Sequence, residues 1–151
     1  MDDAGIYTRE SEYLDCYVQL GLASDRVLAV SFPEESDDED ADHALLDRID
    51  AYLEGEREEF DDVAVALTVP TDQREVLETT REVPYGEQVS VERLTRMTPG
   101  LDASSDEDHD AVRTALAANP APLVIPDHRV RDGPSGAPPE IEQRLRALEG
   151  L

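Results

Sequence analysis

Apolar and polar positions alternate in two runs near the start of the chain, residues 16–23 and 27–32, with Ser24-Asp25-Arg26 between them. Cys16, Val18 and Leu20 fall on one face of the first run, so a period of two interrupted by a short polar turn predicts a β-hairpin. From Asp42 the pattern changes: Leu45, Leu46, Ile49, Tyr52 and Leu53 recur at helical spacing and stop near Gly55, describing one amphipathic helix. Val63-Ala64-Val65-Ala66-Leu67 reads as a third strand. The first half is therefore expected to be a small α/β domain, a three-stranded sheet with a helix, over residues 1–68.

The second half, residues 69–151, reads as mainly helical. Pro70-Thr71-Asp72 starts a helix that carries Val76 and Leu77, and Pro84-Tyr85-Gly86-Glu87 forms a turn. Short helices follow at 91–97 and about 108–118, joined by Thr98-Pro99-Gly100 and a Ser/Asp-rich stretch, an order that fits a helix-turn-helix. A last helix places Ile141, Leu145 and Leu148 on one face and meets its end signal at Gly150. The whole is an α+β chain.

Charge changes this picture more than composition does. Thirteen basic residues, all of them Arg, stand against 37 acidic ones for a net charge of -24. With no Lys, no Trp and only 2 Phe, this is the profile of a protein kept soluble in concentrated salt by a hydrated acidic surface, as in a halophile's cytoplasm. Periodic apolar segments through most of the length argue against an acidic disordered chain. The acidic run over residues 33–40 reads as a solvated loop; it lacks the spaced ligands and internal Gly of an EF-hand calcium site. Cys16 is the single cysteine and has no pairing partner, so it is expected to be a buried structural thiol. No signal peptide or membrane-spanning apolar run is apparent, and no phosphate loop or metal cluster, so neither cofactor, metal nor membrane is expected and the location is taken as cytoplasmic.

The chemistry concentrates in Asn119-Pro120, the apolar spacer Ala121-Pro122-Leu123-Val124-Ile125, and Pro126-Asp127-His128-Arg129-Val130. This segment resembles the Asn-Pro, five-residue spacer, Pro-Cys-His-Arg-Val signature of the methylated-DNA-protein-cysteine methyltransferases, with Asp127 at the position of the nucleophilic cysteine. Val83-Pro84-Tyr85-Gly86-Glu87 and residues 145–150 resemble two further landmarks of that family. The resemblance implies a ribonuclease-H-like N-terminal domain followed by a winged helix-turn-helix domain of DNA-binding type. It also implies a pocket for an extruded guanine built from Tyr85, Asn119, Pro120, Pro126, Asp127, His128 and Arg129. In the family, thiolate is generated by histidine acting through water with a glutamate behind it. Counting back from the chain's last residues puts that relay glutamate at Gln143, with Glu142 next to it. The DNA-reading positions fall on Val91, in place of a tyrosine, on Asp110, in place of the arginine inserted into the duplex, and on Arg113, the one base among five acids over residues 101–118.

Two functions of different class follow. One is a noncatalytic, alkyltransferase-like member that recognises alkylated guanine in double-stranded DNA, weakly and without repair. The other is a protein-interaction or regulatory module that keeps the fold and has left DNA. A third reading, alkyl transfer to the Asp127 carboxylate, ranks last because a carboxylate attacks an alkyl carbon far less readily than a thiolate does. The retained loop residues also have plain structural uses: Asn119 as a turn cap, the prolines as stiffeners, His128 and Arg129 as partners for buried carbonyls and acids.

Overall fold

A computed structural model describes residues 5–36 and 42–151. Residues 37–40, the most acidic part of the run considered above for calcium, lie outside the described residues. Three strands, β1 (Gly5–Ser11), β2 (Cys16–Ala23) and β3 (Arg26–Ser31), form an antiparallel sheet in the order β1-β2-β3. The β2–β3 hairpin turns on two residues rather than three: Ser24 and Asp25 both have positive φ, 52° and 63°, and Ala23 pairs with Arg26. Two left-handed residues match the twist of the flanking strands.

The sheet's third member differs from expectation. Residues 63–67 make only an isolated parallel bridge, Val27 with Val65, carried by Val27 N to Ala64 O and Ala66 N to Val27 O; further along β3 the Val30 N–H is taken by Pro120 O instead. The third strand is β1. Its sequence shows no apolar alternation because two of its positions work through chemistry other than aliphatic burial: Tyr7 packs its ring at a tilt against His43 with centroids 4.8 Å apart, and Arg9 bridges Asp47 and Asp50, each at 2.8 Å.

Among the described residues, five α-helices accompany the sheet: α1 (Ala44–Leu53), α2 (Thr71–Thr80), α3 (Val91–Met97), α4 (Asp106–Ala117) and α5 (Pro139–Leu148). Side chains cap three of them at the N-terminus, His43 for α1, Ser90 for α3 and Ser105 for α4, each accepting from a backbone N–H that the helix leaves free. One core cluster joins the inner face of the sheet, α1 and Phe60 to Ala121, Leu123, Val124, Ile125, Ile141 and Leu145, so it draws on both halves of the chain. A second gathers Val76, Val91, Leu94, Val112, Leu116 and Val130 between α2, α3 and α4. The stretch from Asn119 to Val130 lies between the two clusters and contributes to each. Cys16 is buried, as its place on the inner face of β2 requires. No described helix is long and apolar enough to cross a membrane.

Candidate functional site

The site is a loop wound around one side chain, Asn119. Its Oδ1 accepts from Ala121 N at 3.0 Å, while its Nδ2 donates to Ile125 O at 3.1 Å and to Asp127 Oδ2 at 2.9 Å. Asp127 N donates to Ile125 O at 2.8 Å across Pro126, whose φ of -81° and ψ of 67° define an inverse γ-turn. A short 3₁₀ turn, Asp127–Arg129, follows at once. The apolar spacer is buried from Ala121 to Ile125, and Pro120 offers its carbonyl to Val30 N of β3 at 2.9 Å. Packing and prolines thus fix where Asp127, His128 and Arg129 point.

They point in different directions. Asp127 is 1% exposed, and its carboxylate accepts from Ser135 Oγ at 2.6 Å and Gly136 N at 2.7 Å as well as from Asn119. Burial pushes its pKa up, opposed by these three donors. His128 and Arg129 turn instead toward Glu149, the residue that ends α5. His128 Nε2 lies 2.5 Å from Glu149 Oε2, Arg129 Nε donates to Oε1 at 2.8 Å, Gly86 N donates to Oε1 at 3.0 Å, and the Tyr52 hydroxyl donates to Oε2. Burial alone would raise the Glu149 pKa; the donors from His128 and Arg129 overcome it and bring the group down to about 2. An ionised Glu149 makes His128 Nε2 the protonated nitrogen. Tyr52 is pushed the other way, up from its usual value, by burial and then by the Glu149 charge, so it stays a phenol and a donor.

Two of the sequence-derived positions are corrected by this geometry. The acid behind His128 is Glu149, not Gln143: Gln143 is exposed on the outer side of α5, while Glu149 has a wholly buried side chain. Val91 cannot read DNA, since its side chain is 1% exposed in the α2–α3–α4 core and its backbone N–H is bound by Asp132. Asp110 and Arg113 do lie on the exposed side of α4, joined by a 3.7 Å ion pair. Tyr85 is half-buried beside the site, edge-on to Tyr52 and flanked by the guanidinium groups of Arg57 and Arg129.

Sequence reasoning missed Tyr52, Ser135, Gly136 and Glu149. Only Glu149 carried a signal: an acid at a helix C-terminus opposes the helix dipole and needs cationic or donor partners. In so acidic a chain that signal was masked. Among the described residues no group of His, Cys, Asp and Glu is arranged to hold a metal ion. A cavity of about 280 Å³ opens well away from Asp127, between α1 and the β2–β3 turn; Arg48 on its wall is already bound to Glu58 and Asp62.

A small antiparallel sheet packed on helices, with a buried Asn-Pro loop leading from α4, defines an α+β protein. Residues 71–150 match the family model described as 6-O-methylguanine DNA methyltransferase, DNA binding domain. The chain is 36% identical over 110 residues to a methylated-DNA–protein-cysteine methyltransferase of Methanopyrus kandleri, covering 71% of this chain and 78% of the relative. It is 30% identical over 107 residues to one from Metallosphaera sedula, covering 70% of this chain and 64% of the relative. The Mycobacterium tuberculosis OGT structure in complex with DNA superposes with a TM-score of 0.72 at 26% identity, over 97% of this chain and 91% of that one. This chain belongs to the methylated-DNA–protein-cysteine methyltransferase family.

Proposed function

We propose that the chain is a noncatalytic member of its family, one that engages double-stranded DNA containing an alkylated guanine weakly and transfers no alkyl group. The observation that carries this reading is the enclosure of Asp127 at the nucleophile position. Both of its oxygens are hydrogen-bonded, by three donors within the protein, and only 1% of the residue is exposed, so it is poorly placed to attack a substrate. A carboxylate is in any case a weak attacker of an alkyl carbon, and donors that stabilise its charge weaken it further. The DNA part of the reading is supported by the match of residues 71–150 to the family's DNA-binding domain and by likeness to a DNA-bound neighbour.

The test is incubation with duplex DNA containing O6-methylguanine, followed by intact-protein mass measurement and, in parallel, binding to alkylated and plain duplexes in molar salt. The expected result is no mass gain and a small preference for the alkylated duplex. A stable one-methyl gain on Asp127 would instead establish transfer to the carboxylate.

One observation favours the protein-interaction reading: Asp106, Glu107 and Asp110 are all exposed on α4, and Arg113 is tied to Asp110. Such a helix repels phosphate, because DNA affinity comes largely from cations that displace counterions. Equal and negligible binding of both duplexes would move the assignment to that reading.

A further inference from the structure

Asp127 reaches well beyond its own turn. Loop 131–138 leaves the 3₁₀ turn and is tied near its start, where Asp132 accepts from Val91 N at 2.7 Å, and near its end, where Ala137 is buried in the larger core. Its middle packs Gly133 closely against Leu116, Val130 and Val91, Ser135 also hydrogen-bonds Glu142, and two further donors reach Asp127. Ser135 Oγ donates to one carboxylate oxygen and Gly136 N to the other, and Ser135 Oγ in turn accepts from Ala137 N at 3.0 Å. Gly136 lies so close to Asn119 that a Cβ there would overlap the Asn119 carbonyl, so the loop is pressed directly onto the end of α4. Asn119 completes the arrangement with its amide. Three donors from two segments thus converge on a buried negative charge, the geometry of an anion-binding nest whose anion belongs to the chain.

We infer that Asp127 is the catch of a latch: its carboxylate fastens loop 131–138 across the position from which a family member would react, and an extruded base can enter only after Ser135 and Gly136 release it. The closed state costs any ligand of this site the free energy of opening, which lowers apparent affinity by the fraction of open molecules. The latch itself stands on the hydrogen bonds around Asp127; only the identity of the excluded ligand rests on the DNA reading above.

Amide hydrogen exchange of the full chain in molar potassium chloride tests it. Gly136 N–H should be protected in the wild type, and Asp127→Asn and Ser135→Ala should each speed its exchange about tenfold or more, the weight of a hydrogen bond to a charged group, with amides of the α2–α3–α4 core unchanged. Asp127→Gly leaves the three donors around an empty hole, and sodium formate, compared with chloride at equal ionic strength, should slow the exchange again. Unchanged Gly136 exchange in Asp127→Asn and Ser135→Ala overturns the latch, as does a folded Asp127→Gly that ignores formate. Should Asp127→Gly fail to fold, Ser135→Ala decides, since it leaves the carboxylate in place. The same Ser135→Ala protein should bind alkylated duplex more tightly than wild type; faster exchange with no rise in affinity keeps the latch and overturns the DNA reading.

Discussion

Glu149 occupies the C-cap of α5, where the helix dipole disfavours negative charge, and is stabilised there by Tyr52, Gly86, His128 and Arg129. Its folded pKa of about 2 lies below the ordinary 4.5, so the stability it contributes is complete above that ordinary value and is lost as pH falls from about 4.5 toward 2. Asp127 acts in the opposite sense: with its pKa raised, its contribution is greatest while it is protonated and declines as pH rises through its folded value. Glu149→Gln should destabilise the protein by about 3 kcal/mol at neutral pH, the cost of breaking a buried ion pair, and flatten the acid limb of stability. Denaturant midpoints of both proteins across that acid range check this; parallel curves would refute it. In Asp127→Cys, a thiol would stand next to a histidine that already has its carboxylate partner in place. Slow, partial methyl transfer is expected, held back by Asp110 on α4, and slower still with Glu149→Gln added. Intact mass against time is the readout, and no adduct on the single variant would show that His128–Glu149 is not a working base.

At the scale of elements, α4 departs most from what a DNA-reading helix needs. Its acids are well suited to stabilising the helix: Ser105 caps Asp108 N, and Asp106, Glu107 and Asp108 fill the first turn where the dipole favours them. They are poorly suited to phosphate. Asp110→Arg removes the partner of Arg113 and adds a cation to the exposed face. Duplex affinity should rise and the slope of log affinity against log salt should steepen by roughly 0.9 for each additional phosphate neutralised. Titrations at several salt concentrations measure the slope, and an unchanged value would mean that α4 does not face DNA.

For the molecule as a whole, the net charge of -24 sets the conditions under which any of this can be observed. Self-repulsion among 37 acids partnered by only 13 Arg weakens the compact state in dilute buffer, and at about 1 M salt the Debye length shrinks to about 3 Å. The melting temperature should therefore climb as potassium chloride is raised from millimolar to molar. A flat response would remove the inference of a salt-adapted surface. The halves are joined by buried contacts that salt screens little, Tyr52 to Glu149 and Val30 N to Pro120 O, and at the surface by Tyr13 and Arg144, each donating to the other's carbonyl.

The order of the elements was legible in the sequence wherever apolar residues carried the period, as in β2, α1, α3 and α5, because burial of a regular stripe is a local property of the pattern. The Asn119–Val130 loop was legible for a different reason, its resemblance to the family's loop, with prolines that fix φ and an Asn that hydrogen-bonds its own turn. Strand β1 was hidden because Tyr7 and Arg9 find their partners across the sequence, on and beside α1. The same physics hid Glu149, Tyr52, Ser135 and Gly136. Whether an acid is a solvated surface charge or the buried hub of a site depends on which donors the fold brings within hydrogen-bonding reach, and in a chain with 37 acids nothing local separates the one from the rest. That an aspartate stands between Pro126 and His128 is written in the chain; that its carboxylate is enclosed was decided only when Asn119, Ser135 and Gly136 met around it.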